Sequence, residues 1–125
     1  MINIDYFRQT RILDGGMGQE LLARGMKPNS TLWSANAILN ENYHQLVLDT
    51  HIDFIKAGAE IIVTTTFATR QKRLKENNLL DKFEYLNQKA GEIAQTAKRK
   101  FPNTYIAGGI PCLLYTSDAA DEMRR

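Results

Sequence analysis

An acidic residue followed by two glycines stands near the start of the chain, in the segment RILDGGMGQELLARG. Asp14 comes directly after the apolar pair Ile12 and Leu13, and Gly15 and Gly16 lead into a helix-like run. This order predicts a strand, a tight turn and a helix, with the carboxylate at the end of the strand. A carboxylate there can hold the ammonium group of a ligand, or it can cap the helix by accepting backbone N–H bonds. The spacing alone leaves both interpretations open.

The same glycines allow another interpretation, a phosphate-binding loop, because glycine amides ahead of a helix N-terminus attract anions. GGMG lacks the Lys-Ser/Thr pair of a Walker loop and the full spacing of a dinucleotide fingerprint. The negative charge of Asp14 would also repel phosphate. The alternative function, which belongs to a different class, is a non-catalytic α/β domain that binds an anion through these glycine amides.

Hydroxyl and aromatic side chains offer further candidates. Thr64, Thr65 and Thr66 close the β-branched run AEIIVTTTF, where their alternative role is packing within a strand. Trp33 is the single tryptophan, and it lies in the polar, non-periodic segment KPNSTLWSANA. An exposed indole face can receive a cationic methyl group by cation–π attraction, whereas a buried one would anchor the loop to the core.

The remaining polar groups favour ordinary structural roles. His44 and His51 are seven residues apart on one predicted helix, and without a third ligand in register they are expected to make hydrogen bonds. The only basic cluster, RQKRLK over 70–75, is expected to be the solvated face of a short helix, with an anion site as the alternative. Cys112 is the only cysteine, so no internal disulfide is expected. No residue of this chain is predicted to be a catalytic residue or a metal ligand.

Strands that alternate with helices position these groups. Helical spacing covers 41–57, with Asn40 as N-cap and Gly58 at the end, and a second helix covers 81–100. Buried strands are predicted at AEIIVTTTF and at TYIAGGI. The order strand, helices, strand, helices, strand indicates an α/β fold with a parallel sheet, either an open doubly wound sheet or a (β/α)8 barrel. Periodicity does not choose between the two.

Composition excludes several classes of protein. With 125 residues, 43% of them hydrophobic, and a net charge of +2, the chain has the length and balance of one globular domain. Lys and Arg are interspersed with Asp and Glu, which does not favour nucleic-acid binding. No apolar run approaches the roughly 18 residues of a membrane span, and no signal peptide is evident, so no membrane association and a cytoplasmic location are expected.

Three motifs, ILDGGMGQELLARG, LWSANAILNE and IKAGAEIIVTTTF, resemble in order and spacing the N-terminal part of the homocysteine S-methyltransferase family. The resemblance runs from Arg11 to Pro111 and covers a family that includes betaine- and S-methylmethionine-dependent enzymes and the homocysteine barrel of modular cobalamin-dependent methionine synthase. It implies the N-terminal portion, about three βα units, of a (β/α)8 TIM barrel. It also implies methyl transfer from a small-molecule donor to the thiol of homocysteine, giving methionine.

The resemblance further implies zinc, which three cysteines hold in the later part of the family's barrel and which makes the thiol a thiolate. Those ligands are absent from this chain, so zinc is expected only in the intact protein and the fragment itself is expected to be inactive. By position, Asp14 matches the acid that accepts the homocysteine ammonium, and Gly15 and Gly16 match the turn beside it. The strand-end residues Thr65, Thr66 and Phe67 match the lining of the homocysteine pocket, and Trp33 matches an aromatic face at the methyl-donor site.

The resemblance stops after Pro111. CLLYTSDAADE, over 112–122, is similar to the conceptual translation of a transposase-type sequencing-library adapter, with a natural helix capped by Ser117 as the alternative. We therefore expect a partial homocysteine-binding barrel domain over 1–111 and a non-native tail over 112–125.

Overall fold

Two parallel strands form the centre of the structure, a computed structural model that describes residues 2–111. Strand β1, Ile61–Val63, pairs with strand β2, Tyr105–Ala107, in the register Ile61 to Tyr105, Ile62 to Ile106 and Val63 to Ala107. The other edge of β1 is joined by a single parallel bridge from Leu13 to Ile61. The three segments therefore lie side by side in chain order, as in a parallel βα fold.

The first predicted strand is shorter than expected. Its pairing to β1 consists of the Leu13 bridge and a few backbone bonds, in which Glu60 N–H donates to the Ile12 carbonyl and Asp14 N–H donates to the Ile61 carbonyl. Ile12 and Leu13 are each 57% exposed, because within residues 2–111 this segment has a sheet neighbour on one side only. The bridge is nevertheless sufficient to fix Asp14 beside the end of β1.

Five α-helices surround the strands: α1 Met17–Ala23, α2 Ala35–Leu39, α3 His44–Lys56, α4 Gln71–Glu76 and α5 Phe83–Lys100. Short 3₁₀ turns precede α1, α3 and α5 at Ile4–Arg8, Glu41–Tyr43 and Leu80–Lys82. Within residues 2–111, no helix combines the length and apolar character that crossing a bilayer requires.

The predicted end signals of α3 are confirmed. The Asn40 side chain accepts a hydrogen bond from Asn42 N–H and caps the 3₁₀ turn that leads into the helix. Gly58 adopts a φ of +119°, and Ala59 N–H then donates to the Phe54 carbonyl. This left-handed glycine ends α3 in the way that helix C-termini commonly do, and it turns the chain into β1.

Helix α5 carries the predicted apolar stripe into the core. Its buried side chains are Leu86, Ala90, Ile93, Ala94 and Ala97. It packs against α3 and α2, and one end of it contacts β2. Burial of this stripe, rather than helix propensity, supplies most of the drive to form the helix.

The segment predicted to be the longest without regular structure contains the start of a helix. The segment KPNSTLWSANA is not irregular throughout, because α2 begins within it at Ala35 and buries Ala37 and Ile38. The proposed tail over 112–125, with Cys112, lies outside the described residues.

Candidate ligand-binding site

A cavity of about 610 Å³ opens beside the carboxyl end of β1, between the Asp14 turn, helix α1 and the loop that carries Trp33. The carboxyl ends of strands are where ligands bind in parallel βα folds. Six of the seven residues predicted from the sequence line this cavity, namely Asp14, Gly15, Gly16, Trp33, Thr65 and Phe67. Residues separated by about fifty positions in the chain therefore meet at one place.

The Asp14 carboxylate is held in a defined position. Its Oδ2 accepts a hydrogen bond of 2.9 Å from Val63 N–H, the last residue of β1. The second oxygen, Oδ1, accepts no hydrogen bond from another residue within 2–111. Burial raises the pKa of the Asp14 carboxyl above its ordinary value, and the hydrogen bonds from backbone N–H groups partly oppose that rise. An ammonium ligand would compensate the desolvated charge.

The capping interpretation of Asp14 is wrong. The N-cap of α1 is Gly16, and no side chain makes a capping hydrogen bond there. The first backbone N–H groups of a helix have no intrahelical acceptor. The start of α1, from Gly16 to Gln19, therefore brings N–H donors to the cavity wall beside the carboxylate.

Gly15 is required for close packing rather than for a special turn. A Cβ atom built on Gly15 would lie 3.0 Å from Cε1 and 3.3 Å from Cζ of Phe54 on α3. Gly16 has a φ of −73°, which any residue adopts, and a Cβ there would meet nothing closer than 4.0 Å. The predicted sharp turn is thus made with ordinary dihedral angles, and the glycine at 15 lets the chain lie against α3.

Trp33 is both anchored and exposed. Its Nε1–H donates to the Ser30 carbonyl at 3.0 Å, and its backbone has a φ of +51°. The indole ring stacks on Phe67 with 6.3 Å between centroids and 16° between planes. Trp33 and Phe67 remain 52% and 54% exposed, so the pair forms an aromatic edge of the cavity.

The three threonines at the end of β1 take different roles. Thr65 is 4% exposed and lines the cavity, and its hydroxyl has no hydrogen-bond partner within residues 2–111. Thr66 does not line the cavity, because its hydroxyl donates to the Gly109 carbonyl at 2.7 Å. Gly109 N–H in turn donates to the Thr64 hydroxyl at 3.1 Å, which joins the ends of β1 and β2.

The two histidines do not behave alike. A ring nitrogen of His44, Nε2, lies 2.7 Å from the Ile38 carbonyl and makes the expected hydrogen bond. His51 is fully buried, and neither ring nitrogen has a partner within the described residues. The hydrogen bond predicted for His51 is therefore wrong, and burial lowers its pKa to about 4.

Sequence reasoning missed much of the cavity wall. Leu22 and Met26 contribute apolar side chains to its lining, while Asn29, Ser30 and Ser34 contribute polar ones. Leu22 belongs to α1, whereas Met26 follows the end of that helix, so helical spacing does not relate the two. The others belong to a loop whose path depends on an Asn29 side chain that accepts from Leu32 N–H at 2.8 Å.

Within the described part of the chain, no three His, Cys, Asp or Glu side chains lie close enough together to hold a metal ion. The donor set of residues 2–111 therefore does not fit the zinc site that the family resemblance implies.

Parallel strands with a half-buried carboxylate at their carboxyl ends, beside a cavity of about 610 Å³, are typical of parallel βα folds that bind ligands at this end of the sheet. The chain belongs to the homocysteine S-methyltransferase family, whose family model matches residues 11–123. This family consists of methyltransferase enzymes.

Individual relatives support the assignment. The chain is 35% identical over 101 residues to homocysteine S-methyltransferase 2 of Zea mays, which is 80% of this chain and 29% of the maize protein. It is 35% identical over 91 residues to selenocysteine Se-methyltransferase of Brassica oleracea, covering 72% of this chain and 26% of that protein. The metallated form of the homocysteine methyltransferase MmuM from Escherichia coli matches with a TM-score of 0.73 and 27% identity, over 90% of this chain and 42% of that one.

These matches confirm the predicted fold, the N-terminal part of a (β/α)8 barrel. The chain spans less than a third of the maize and Brassica proteins and less than half of the Escherichia coli structure.

Proposed function

We propose that the protein takes part in methyl transfer from a small-molecule donor, such as S-methylmethionine or betaine, to the thiol of homocysteine, giving methionine. In this proposal the described residues supply the pocket for the amino-acid end of homocysteine. Family membership supports the class of reaction.

The position of the Asp14 carboxylate is the observation that carries the proposal. It lies in the cavity with one oxygen held by Val63 N–H, and a ligand ammonium would donate to the other. The N–H groups at the start of α1 offer donors for the ligand carboxylate, and the Thr65 hydroxyl offers one more polar contact. An amino acid matches this arrangement because it carries both charges on one carbon atom.

The alternative, a domain that binds a simple anion, fits this site less well. A phosphate or sulfate at the start of α1 would lie beside the Asp14 carboxylate, whose charge repels it. The N–H donors at the start of α1 are therefore not enough to make a simple anion the favoured ligand.

Zinc, in this proposal, is bound by groups other than those of residues 2–111. The thiol of homocysteine would then be activated outside the described pocket, and the present chain would bind homocysteine without methylating it.

Calorimetric titration of the purified chain tests the proposal. L-homocysteine is expected to bind, whereas 4-mercaptobutyrate, which lacks the amino group, is expected to bind at least about tenfold more weakly, since a hydrogen bond to a charged group contributes roughly 1.5–3 kcal/mol. Equal affinity for the two compounds would overturn the proposed role of the pocket. Incubation with S-methylmethionine, homocysteine and zinc is expected to yield no methionine, and steady turnover would contradict the proposed division of roles.

A further inference from the structure

Arg73 on helix α4 contacts the loop that carries Trp33. Its Nη1 group donates a hydrogen bond of 2.7 Å to the Thr31 carbonyl, and its Cζ atom lies 4.6 Å from the centroid of the Trp33 ring. We call residues 28–34 the cavity loop, because five of them line the cavity, namely Pro28, Asn29, Ser30, Trp33 and Ser34. A side chain that stands 42 positions after Thr31 in the chain therefore holds part of the cavity wall.

The cavity loop owes its shape to hydrogen bonds within itself. The Asn29 side chain accepts from the backbone N–H groups of Thr31 and Leu32, and Trp33 N–H donates to the Asn29 carbonyl at 2.9 Å. These bonds do not attach the loop to the rest of the fold. Among residues 2–111, the bond from Arg73 is the only hydrogen bond that joins the cavity loop to an element other than α2.

The backbone of Trp33 depends on contacts that hold it. Its φ of +51° lies in the left-handed region, which a bulky residue rarely adopts and which persists only where the surroundings enforce it. Three groups contact the indole, namely the Ser30 carbonyl, the Phe67 ring and the Arg73 guanidinium. The neighbouring Leu32 is buried and adds an apolar contact, which is not directional.

An arginine suits this position better than a lysine does. A guanidinium is planar, so it can stack on an aromatic face and donate within its plane to a carbonyl at the same time, whereas an ammonium has no such plane. Within the described chain, Arg73 belongs to no ion pair. Lys72 and Lys75 of the same helix are exposed, as predicted for a solvated face, while Arg73 is half-buried against the loop.

The cavity loop also lies against the start of α1. A Cβ atom built on Gly18 would be 3.7 Å from Cβ of Ser34. The first N–H groups of α1 are those that the proposed function assigns to the carboxylate of homocysteine. Displacement of the loop would therefore open the cavity wall next to that carboxylate.

We propose that Arg73 is a positioning residue for homocysteine binding, because it latches the cavity loop to α4 and keeps the wall beside the start of α1 in place. This inference rests on the proposed function. Arg73 is not among the residues that line the cavity, so it acts through Thr31 and Trp33 and not by contact with homocysteine.

The variant Arg73→Gln, made in the full chain, removes the latch. Calorimetry is expected to show homocysteine binding about tenfold more weakly, which is the lower end of the effect of a hydrogen bond to a charged group. Trp33 is the only tryptophan, so its fluorescence gives a second readout that does not depend on homocysteine. Acrylamide is expected to quench this emission more strongly in the variant, because the indole loses the guanidinium that covers it.

Two further variants separate the latch from a general effect of charge. Lys72→Gln removes the same charge from an exposed position of α4 and is expected to change neither readout. Arg73→Lys keeps the charge without the planar group, so it is expected to restore homocysteine affinity and protection from acrylamide only in part. It also tests the latch if Arg73→Gln does not fold, as judged by urea unfolding.

Wild-type values for both readouts in Arg73→Gln, or full restoration by Arg73→Lys, would overturn the inference. A loss of affinity in Lys72→Gln as large as that in Arg73→Gln would do the same, since charge alone would then explain it. Stronger quenching with unchanged homocysteine affinity would contradict the positioning role while leaving the proposed function intact. Failure of the wild-type chain to bind homocysteine would contradict the proposed function, and this inference with it.

Discussion

Replacement of Asp14 by Asn separates the two classes of ligand that the cavity has been considered to bind. The amide oxygen of Asn is able to accept the Val63 N–H bond that Asp14 Oδ2 now accepts, so the turn is expected to keep its shape. The substitution removes the negative charge, and it places an NH₂ group where an ammonium would otherwise donate. Asp14→Asn is therefore a test of charge with little change of structure.

The magnitude follows from the surroundings of the carboxylate. A hydrogen bond between an ammonium and a partly buried carboxylate contributes roughly 1.5–3 kcal/mol, so homocysteine is expected to bind about 10-fold to 150-fold more weakly to the variant. The raised pKa of Asp14 adds a pH dependence. Because the ligand needs the ionised carboxylate, affinity in the wild type is expected to fall with falling pH, beginning above the ordinary titration range of an aspartate.

Calorimetry with homocysteine and with 4-mercaptobutyrate provides the assay. The variant is expected to lose affinity for homocysteine and to bind the amine-free compound, an anion, at least as well as the wild type does. An anion-binding domain would give the opposite sign, since removal of a repelling charge would improve binding of phosphate or sulfate. Unchanged homocysteine affinity in Asp14→Asn would refute the role assigned to this carboxylate.

Further predictions concern packing, pH, zinc and the origin of residues 112–125. Gly15→Ala is expected to lower the free energy of unfolding by about 1 kcal/mol, because its Cβ would force the Phe54 ring to move, while Gly16→Ala has no effect; equal urea midpoints for the two variants would contradict this. His51 has a pKa of about 4 in the folded chain against 6.5 when unfolded, so lowering the pH from 6.5 to 4 is expected to remove about 3 kcal/mol of stability. Urea unfolding of His51→Leu, which has no such proton to bind, is expected to lack that loss. Zinc titration of the chain over residues 2–111 is expected to show no tight site, and nanomolar binding would be contrary evidence. The gene sequence read onward from the codon of Pro111 is expected to depart from the present residues 112–125, and recovery of the same fourteen residues from genomic DNA would show that the tail is native.

The sequence predicts the long helices well because their pattern is local. In α5 the apolar residues repeat along one face over five turns, and the structure buries most of them, while Phe83 at the start of the helix is partly buried. Gly58 likewise acts locally, since a glycine after a helix readily adopts the left-handed angle that ends it. The strands are less predictable, because their length depends on neighbours that are distant in the chain.

The end of β1 illustrates that dependence. The run of three threonines has the composition of a strand, yet β1 ends at Val63. Thr64 and Thr66 instead bond to each other and to Gly109, beyond β2, so their conformation is set by a contact across more than forty residues. No local pattern contains that information.

The candidate site likewise combines features that the local sequence predicts with contacts between residues distant in the chain. An acid after an apolar pair made Asp14 predictable, but its orientation depends on the amide of Val63, which the sheet brings to it. The contact between Arg73 and Trp33 joins residues forty positions apart, and the φ of +51° at Trp33 is imposed by its loop. The residue types at this site were therefore accessible from the sequence, and their arrangement was not.

The most direct test of the homocysteine pocket is an NMR titration of the ¹⁵N-labelled chain with L-homocysteine. The amide of Val63 donates to Asp14 and is expected to shift together with the amides of Gly15 and Gly16, with much smaller shifts on addition of 4-mercaptobutyrate. Shifts that leave the Val63 amide unmoved, or that are as large with the amine-free compound, would contradict the assignment of this cavity to the amino-acid end of homocysteine.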